Sequence, residues 1–440
     1  MHKTSVTLLI TIFILCLSLQ VFADTPPPNS NFPETISPSI ILIDSKTGQV
    51  LYGKNIHEDL YPASITKVMT ALLALENCKL DEKVTASERA VNEIEFASSN
   101  VGFSVGEELT VEQLLYALML ESANEAANIL AEHIGGSIKG FADMMNARAK
   151  ELGTLNTHFV NPNGLHKEDH KTTVYDMSLI TKQAMTIPEF RQIINTTCFE
   201  MPSTNKYLKS DKKFFNHNKL ILKNNTYYYP YAIGGKTGYT STAKHSLVAC
   251  ASENGMELIA VCMNSTKTNG ISYPYSDSIK LFEYAFNNYS LKEPIKAGTL
   301  VKQLILPNAK ADNQLQVIAQ NDVHFLCPLN YEGQGYAIKE EINTDLKAPL
   351  NKDTSVGYIE YLIDGVMVGR TKLVTANSVE ALPSSSAGFT GFIIAVLIIL
   401  RNILIAIIIL FTMLVIWVKV RRRSAKKKSH LLKIERLIRD

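Results

Sequence analysis

Residues 61–76 read Tyr-Pro-Ala-Ser-Ile-Thr-Lys-Val-Met-Thr-Ala-Leu-Leu-Ala-Leu-Glu. Apolar residues recur in this stretch at the spacing of a helix face, at Ile65, Val68, Met69, Leu72 and Leu73. Pro62 stands just ahead of them, where the start of a helix tolerates proline. A helix is therefore predicted to begin near Ser64, and Ser64 and Lys67 then share one of its faces.

Ser64 and Lys67 have the residue types of a nucleophile and its base. A serine hydroxyl needs a base to attack, and a lysine amine serves if it is held neutral. Burial disfavours the charged amine, and a second cation nearby, here Lys236, lowers its pKa further. The pair alone is a weak signal, because the same spacing recurs at Ser203 and Lys206, Ser210 and Lys213, and Ser424 and Lys427.

A second motif, Ser122-Ala123-Asn124, lies between two predicted helices, Val111–Leu120 and Asn124–His133. A loop in this position can present a hydroxyl for proton relay and an amide for substrate binding. Ser122 also fits a simpler interpretation, as the cap of the following helix. Serine and asparagine recur with this spacing at Ser98-Ser99-Asn100 and Ser203-Thr204-Asn205.

A third motif, Lys236-Thr237-Gly238, follows Gly234 and Gly235 in a predicted strand, Ala232–Tyr239. Glycines let an extended peptide approach the backbone closely, and lysine and threonine offer a site for a terminal carboxylate. Lys46-Thr47-Gly48 is identical, but it lies in a predicted hairpin turn. The motifs at Ser64, Ser122 and Lys236 follow one another at a helix start, in a link between two helices and on a strand. The repeated strings elsewhere in the chain do not form such a series.

Strand patterns flank a helical block. A hairpin is predicted around residues 45–48, helical patterns fill residues 85–195, and β runs return at Ala232–Tyr239, Leu247–Ala251 and Leu258–Met263. A helix is predicted at Ser276–Asn287, and short β runs follow at Val356–Ile363 and Met367–Val374. Both ends of the first domain thus contribute to one α/β unit, and a small β domain follows it.

In these motifs the chain resembles the serine D-alanyl-D-alanine carboxypeptidases, which are the low-molecular-mass penicillin-binding proteins. The resemblance covers about residues 38–376 and includes residues 61–64, Asn161-Pro162-Asn163-Gly164-Leu165 and residues 236–240. It implies an α/β (α+β) fold of the β-lactamase/transpeptidase type, with an antiparallel sheet flanked by helices, a helical insertion and a small C-terminal all-β domain. It also implies removal of the terminal D-alanine from peptidoglycan stem peptides, covalent inhibition by β-lactam antibiotics, and no metal or organic cofactor.

The resemblance also implies roles for individual residues. Ser64 would be acylated, Lys67 would take its proton, Ser122 would relay it, and Asn124 would bind the substrate amide. The remaining predicted substrate-binding residues come from the third motif: Lys236, Thr237, Gly238, Tyr239 and Thr240. Among them Lys236, Thr237 and Thr240 would hold the carboxylate, and the backbone N–H groups of Ser64 and Tyr239 would form an oxyanion hole.

One position departs from the family pattern. Many relatives carry a carboxylate-binding arginine just before the last helix of this domain, where this chain reads Tyr273-Pro274-Tyr275-Ser276. Lys267 is a candidate substitute. Asp176 stands where relatives often carry an acid, and only a minor role is expected for it.

The two ends of the chain carry the patterns of a secreted, anchored protein. A signal peptide is predicted over residues 1–23 and a linker over 24–37, ahead of a catalytic domain over 38–292 and the β domain over 293–376. A second linker (377–390) precedes an apolar anchor (391–418) and a basic tail (419–440). The prediction is a single-pass cell-membrane protein with an extracytoplasmic catalytic domain and a cytoplasmic tail.

Arg401 interrupts the apolar run and leaves two arrangements open. In one, Ile403–Val418 spans the bilayer and residues 392–400 lie along its surface; in the other, one long helix tilts and its arginine reaches the interface. The formal net charge of the chain is +2. Because the basic tail directly follows the apolar run, it is expected to orient the protein and attract anionic lipid, and nucleic acid binding is excluded.

The cysteines outside the predicted signal peptide are scattered: Cys78, Cys198, Cys250, Cys262 and Cys327. They form neither a disulfide framework nor a zinc-ligand pattern. A two-residue turn at Asn254-Gly255 would pair Cys250 with Ile259, so Cys250 and Cys262 are not expected to face each other.

Three alternative functions use the same residues. A serine β-lactamase needs a carboxylate for deacylation, and Glu151 stands one residue too far from Leu155-Asn156 to match the usual string. A D,D-endopeptidase or transpeptidase would share the whole set. A noncatalytic wall-binding protein would not need all the reactive side chains that are present.

Overall fold

The computed structural model of the chain describes residues 32–95, 98–209, 211–310, 314–329, 335–382 and 386–437. The predicted signal peptide (1–23) and the predicted linker up to residue 31 lie outside the described residues. The chain forms two compact units. The first contains the described residues up to Val301 together with Val317–Asn343 and Ser355–Val374, and the second contains Lys302–Gln316, Thr344–Thr354 and the described residues from Thr375 onward.

Two strands open the described chain, helices predominate in its middle, and strands predominate from Ala232 to Thr375. In chain order the strands are β1 (Ser39–Asp44), β2 (Val50–Lys54), β3 (Lys83–Thr85), β4 (Glu108–Thr110), β5 (Cys198–Glu200), β6 (Lys213–Phe215), β7 (Ala232–Thr240), β8 (Lys244–Glu253), β9 (Met256–Ser265), β10 (Lys267–Thr268), β11 (Ile271–Ser272), β12 (Tyr289–Ile295), β13 (Leu300–Leu304), β14 (Leu315–Ala319), β15 (Val323–Pro328), β16 (Ala337–Ile342), β17 (Ser355–Ile363) and β18 (Val366–Thr375). The helices are α1 (Lys67–Asn77), α2 (Glu88–Asn92), α3 (Val111–Leu120), α4 (Asn124–Gly135), α5 (Ile138–Glu151), α6 (Val174–Met185), α7 (Pro188–Asn195), α8 (Tyr273–Asn288) and α9 (Ser386–Leu437). Short 3-10 turns occupy Ala63–Thr66 and Lys219–Ile221.

The first unit is organised around an antiparallel sheet in the order β2-β1-β9-β8-β7. The N-terminal strand β1 pairs with β9, with Ile41 opposite Val261, so strands from both ends of the domain share the sheet and the helices of the insertion are enclosed between them. Cys250 of β8 lies opposite Ile259 of β9, which confirms the predicted register. The predicted fold class is confirmed.

Side chains alternate across this sheet, so it has two apolar faces. On β9, Ile259 and Val261 join the core formed with α1, α3 and α4, whereas Ala260 and Cys262 join the core formed with α8. Cys250 belongs to the first core and Cys262 to the second, so these two thiols lie on opposite faces of the sheet.

The helix that carries the first motif begins near Ser64 as predicted, but its first turn is a 3-10 turn. Ser64 lies in the 3-10 turn Ala63–Thr66, and the α-helical hydrogen bonds begin at Lys67. Helix α1 is buried from Lys67 to Ala74, and near-continuous apolar sequence suits a helix enclosed by α3, α4 and α6. Lys67, the predicted base, is therefore the first residue of a helix in the core.

The other two motifs stand at element ends beside this turn. Helix α3 begins with a capping box between Thr110 and Gln113, and Ser122 lies in the short link from α3 to α4. Asn124 is the first residue of α4, and Lys236 lies in β7, one of the two edge strands of the sheet. Strand β7 contacts the 3-10 turn that carries Ser64.

The later β elements of the first unit form antiparallel pairs. Strand β12 pairs with β15, and β16, β17 and β18 follow one another as neighbours. The side chain of Gln49 ties β15 to the first hairpin through two buried bonds: its Nε2 donates to Leu326 O at 2.9 Å and its Oε1 accepts from Leu326 N at 2.9 Å.

Helix α9 carries the apolar run of the C-terminal region. Within the described residues, one helix is long and apolar enough to cross a membrane, Thr390–Lys426. It continues without a break through Arg401, which is the geometry of the single-long-helix alternative.

Candidate active site

Ser64 is held by a strained turn. Ala63 has φ 51°, in the left-handed region that residues with a Cβ rarely adopt. Such strain persists only where the surroundings enforce it, and it is common at active sites. The turn brings Ser64 Oγ to 3.1 Å from Lys67 Nζ.

Lys67 is completely buried. Its Nζ donates to Asn124 Oδ1 at 2.7 Å and to the backbone oxygen of Asn163 at 2.6 Å. Burial lowers the pKa of Lys67 well below its usual value, the charge of Lys236 lowers it further, and Glu125 opposes these effects in part. These effects favour the neutral amine of Lys67.

The three contacts of Lys67 assign its lone pair. A neutral amine has two N–H groups and one lone pair. The oxygens of Asn124 and Asn163 only accept, so they take both N–H groups. The remaining contact, with Ser64 Oγ, then has the serine hydroxyl as donor and the lysine lone pair as acceptor, which is the arrangement a general base requires.

Lys236 acts on this pair from behind the cleft wall. It is also buried, and burial lowers its pKa to about 7. Its Nζ donates to the backbone oxygen of Thr237 at 3.1 Å. Its position is therefore that of a charge that tunes Lys67, rather than of a group open to solvent.

Ser122 supplies a second hydroxyl at the cleft. It has φ 62°, and its side chain is buried while lining the cleft beside Ser64. Among the described residues its Oγ has no hydrogen-bond partner. A buried hydroxyl without a partner is costly, and a substrate group in the cleft would satisfy it.

The loop Asn161–Leu165 supports the nucleophile turn. Pro162 O accepts from Thr70 Oγ1 at 2.6 Å, and Asn161 Oδ1 accepts from Gly164 N at 2.7 Å. Gly164 has φ +84°, and a Cβ on it would lie 1.9 Å from the backbone oxygen of Ala63. Only glycine lets this loop pack against the strained turn.

A buried histidine fixes the same turn from the other side. Val160 N donates to His170 Nδ1 at 3.0 Å, so the proton is on Nε2, which donates to Thr66 Oγ1 at 2.9 Å. Burial is the largest of the effects that lower the pKa of His170 to about 3, so the imidazole is neutral.

A cleft of about 350 Å³ opens beside Ser64. The structure brings together several predicted site residues along it: Ser64, Ser122, Thr237, Gly238 and Tyr239. A Cβ on Gly238 would lie 3.1 Å from Ser64 N, so β7 passes close to the nucleophile's N–H group. Tyr239 is 61% exposed, and its ring lies against that of His245, which also lines the cleft.

Other predicted residues do not line the cleft. Lys67, Asn124 and Lys236 lie behind its wall, and the hydroxyl of Thr240 accepts from Ala243 N at 2.9 Å in the following turn. Asp176 is buried at the start of α6, where it accepts from Asn156 N at 2.8 Å and Thr157 Oγ1 at 2.7 Å. Its contacts are those of a structural residue.

The cleft includes residues that the motif analysis missed or did not assign. Lys219, His217, His245 and Ser99 line it, together with Lys267. Asn163 was part of a quoted motif, but its contact with Lys67 is made by a backbone oxygen, which no residue type reveals. Tyr275, part of the departure from the family pattern, lines the cleft and is otherwise buried.

One group of metal-ligand types lies outside the cleft. The ligand atoms of Cys78, Glu82 and His133 lie within 4.8 Å of one another. His133 Nε2 is 2.7 Å from Glu82 Oε1, so a hydrogen bond accounts for two of the three.

Comparisons with known proteins agree with this geometry. Residues 26–267 match the family model described as D-alanyl-D-alanine carboxypeptidase, and residues 289–381 match that of the penicillin-binding protein 5 C-terminal domain. The D-alanyl-D-alanine carboxypeptidase DacF of Bacillus subtilis is 30% identical over 402 residues, which cover 89% of this chain and 97% of that protein. DacC of Escherichia coli is 30% identical over 362 residues, 80% of this chain and 85% of that protein.

Solved structures show the same relationship. Penicillin binding protein 5 from Haemophilus influenzae superimposes with a TM-score of 0.69 at 27% identity, covering 80% of this chain and 100% of that chain. The carboxypeptidase from Mycobacterium tuberculosis has a TM-score of 0.54 at 32% identity, covering 60% of this chain and 96% of that chain.

The substitution Lys236→Met is expected to shift the pH dependence of Ser64 acylation. Only neutral Lys67 accepts the serine proton, so the rate rises as pH rises through the pKa of Lys67. Removing the nearby cation raises that pKa, and the acid limb of the profile moves to higher pH by about 1 unit. The measurement is the acylation rate by a fluorescent penicillin across the acid and neutral range.

Lys182→Met is the matched control. Lys182 is a half-buried lysine whose pKa is also lowered by burial, and it is not one of the residues that line the cleft. Its acid limb should coincide with that of the unaltered protein. If the acid limb of the Lys236→Met profile does not move, the assigned effect of Lys236 on the pKa of Lys67 is contradicted.

The substitution Gly164→Ala is expected to reduce acylation by about 100-fold, because its Cβ would push Ala63 and misplace Ser64. Gly153→Ala is a close control: Gly153 has φ +82°, and a Cβ there meets nothing within 4 Å. Both variants carry similar backbone strain, so their difference isolates the contact with Ala63. The acylation rates of the two variants are compared per folded molecule. Equal rates in Gly164→Ala and Gly153→Ala would refute the role of this contact.

Proposed function

This chain belongs to the D-alanyl-D-alanine carboxypeptidase family of penicillin-binding proteins, and we propose that Ser64, Lys67 and Ser122 carry out its reaction. The observation that carries the proposal is the buried amine of Lys67, 3.1 Å from Ser64 Oγ, with both of its N–H groups directed to carbonyl oxygens. Its lone pair is then free for the serine proton.

The reaction is acyl transfer to water in two steps. Ser64 Oγ attacks the carbonyl carbon of the penultimate D-alanine as its proton passes to Lys67 Nζ. The C–N bond then breaks, and the proton reaches the departing nitrogen through the hydroxyl of Ser122. Free D-alanine leaves, and water hydrolyses the ester on Ser64 with Lys67 again as base.

Backbone groups stabilise the charge that develops. The close passage of Gly238 beside Ser64 N supports an oxyanion hole formed by the N–H groups of Ser64 and Tyr239. Such donors typically contribute about 10²–10³ in rate each. Thr237 lines the same cleft and is assigned to the substrate's carboxylate end.

The alternative functions are not favoured. Glu151, the acid considered for a β-lactamase, does not line the cleft and pairs with Arg148 at 2.9 Å. A noncatalytic protein would not require a lysine buried beside a serine at this energetic cost.

The same nucleophile accounts for covalent inhibition by β-lactams. Labelled penicillin is expected to acylate the purified protein at Ser64, and incubation with a pentapeptide ending in D-Ala-D-Ala is expected to release free D-alanine. Ser64→Ala should abolish both, whereas Ser122→Ala should retain slow labelling, since only proton relay is lost. Labelling of Ser64→Ala at the normal rate would refute the proposed nucleophile.

We infer that α9 anchors the catalytic domain outside the membrane. Support comes from the apolar run, which is followed by Arg421, Arg422 and Arg423. Basic residues beside a span favour its cytoplasmic side. The protein would then act on peptidoglycan stem peptides at the outer face of the cell membrane.

Protease added to intact cells is expected to digest the catalytic domain and to spare the segment after Arg421. An epitope fused to the C-terminus reports on that segment by immunoblot, and permeabilised cells provide the control in which it is digested. Loss of the epitope in intact cells would indicate the opposite orientation, with the C-terminus outside the cell.

A further inference from the structure

Three side chains with metal-binding atoms meet on the helical block, away from the catalytic cleft. They are Cys78, Glu82 and His133, and their ligand atoms lie within 4.8 Å of one another. None of the three is among the residues that line the cleft beside Ser64. Cys78 and Glu82 line a separate open depression of about 640 Å³. A ligand would therefore reach this cluster from solvent and not through the active site.

Cys78 and Glu82 belong to one short loop whose shape is fixed by backbone bonds. Cys78 is the C-cap of α1, and its N–H donates to Ala74 O at 3.0 Å. Glu82 N donates to Lys79 O at 3.2 Å, and Glu82 Oε2 accepts from Lys79 N at 3.3 Å. Glu82 O accepts from Val111 N, at the start of α3, at 2.9 Å. The loop thus holds the thiol and the carboxylate near each other before any ion binds.

His133 comes from a different helix and faces this loop. It lies in the last turn of α4, and its Nε2 is 2.7 Å from Glu82 Oε1. These are the same nitrogen and oxygen that a metal ion would use. The ion would take the place of the proton between them, and the proton of the neutral imidazole would then lie on Nδ1.

The three donors favour one kind of ion. Thiolate and imidazole are ligands that suit zinc, whereas Mg²⁺ and Ca²⁺ prefer oxygen ligands. A tetrahedral zinc ion holds its nitrogen, oxygen and sulfur ligands about 3.3–3.6 Å apart, so small side-chain rotations bring the cluster to that spacing. A thiolate and a carboxylate balance the charge of the ion, and water can complete the four ligands.

The cluster lies at the far ends of the two helices that hold the proposed catalytic base. Lys67 is the first residue of α1 and Asn124 the first of α4, and their side chains are bonded at 2.7 Å. The two helices contact each other. Cys78 and His133 stand at their other ends, and the 11 residues of α1 span about 16 Å. An ion bound there would join the helix pair at its second end.

We propose that Cys78, Glu82 and His133 bind one zinc ion, with water as the fourth ligand, and that the ion ties the end of α1 to the end of α4. On binding, the Cys78 thiol releases its proton to solvent, and the His133 imidazole coordinates through Nε2. The ion has a structural role. It is independent of the proposed acyl transfer, because it lies at the opposite end of α1 from Lys67.

The test uses the full chain in detergent, freed of metal with a chelator, and Co²⁺ as the probe. A cobalt–thiolate bond gives a near-ultraviolet absorption band, which is expected to appear with one equivalent of Co²⁺ and to be displaced by Zn²⁺ but not by Mg²⁺. Cys78→Ser should abolish the band. Cys198→Ser is the matched control, because Cys198 is also partly buried and is not part of the cluster, and it should keep the band.

His133→Gln is a second variant, which does not disturb the core because His133 is exposed. Its acylation by penicillin at the unaltered rate verifies that it is folded. Its affinity for zinc is expected to fall at least about ten-fold, since even an outer partner of a metal ligand is typically worth that much. No Co²⁺ band in the unaltered protein, or an equal band in Cys78→Ser, would overturn the site.

Thermal unfolding tests the tie between the helices. Zinc at about 100 times its Kd is expected to raise the Tm of the unaltered protein by about 5 °C, and to leave that of His133→Gln nearly unchanged. An unaltered protein that binds zinc without any rise in Tm would overturn the tie between α1 and α4. The acylation rate of Ser64 should be the same with and without zinc, and a zinc-dependent rate would overturn the structural role.

Discussion

The structure of the catalytic unit depends on one constraint, an amine that must be buried yet uncharged. Charged ammonium groups are expensive to bury, and a buried lysine responds by losing its proton. The elements around Lys67 fit this requirement: α4 supplies the side-chain oxygen of Asn124, the loop before α6 supplies the backbone oxygen of Asn163, and β7 supplies a second buried cation, Lys236. Together they hold the neutral base against Ser64.

This arrangement requires strained backbone conformations, which the rest of the fold must stabilise. Ala63 and Ser122 both adopt left-handed backbone conformations without being glycine, and each costs about 1–2 kcal/mol. The 3-10 turn before α1 is enforced by Gly164 on one side and by neutral His170 on the other. The two apolar cores of the sheet supply the stability that such local strain consumes.

Much of this could be predicted from residue patterns. Helix α3 has the predicted bounds, Val111–Leu120, because its apolar spacing and its Thr110 cap agree, and the turn at Asn254-Gly255 gave the register of Cys250. What escaped prediction depends on backbone atoms or on long-range contacts. The Asn163 contact uses a carbonyl oxygen, and Lys219 stands in a string, Asn-Lys-Leu-Ile, without any signature. In the sequence, the stretch that contains Tyr275 shows only that the family's arginine is missing. The hydrogen bond from Lys219 N to Tyr275 Oη is seen only in the structure.

The most direct test of the central claim is the protonation state of Lys67, followed by NMR of protein labelled with ¹³C at the lysine ε carbons. The Lys67 signal is assigned by its absence in Lys67→Met and is followed as pH is raised. We expect it to titrate well below the usual lysine range. A signal that remains in its protonated position until the exposed lysines titrate would contradict a neutral base beside Ser64.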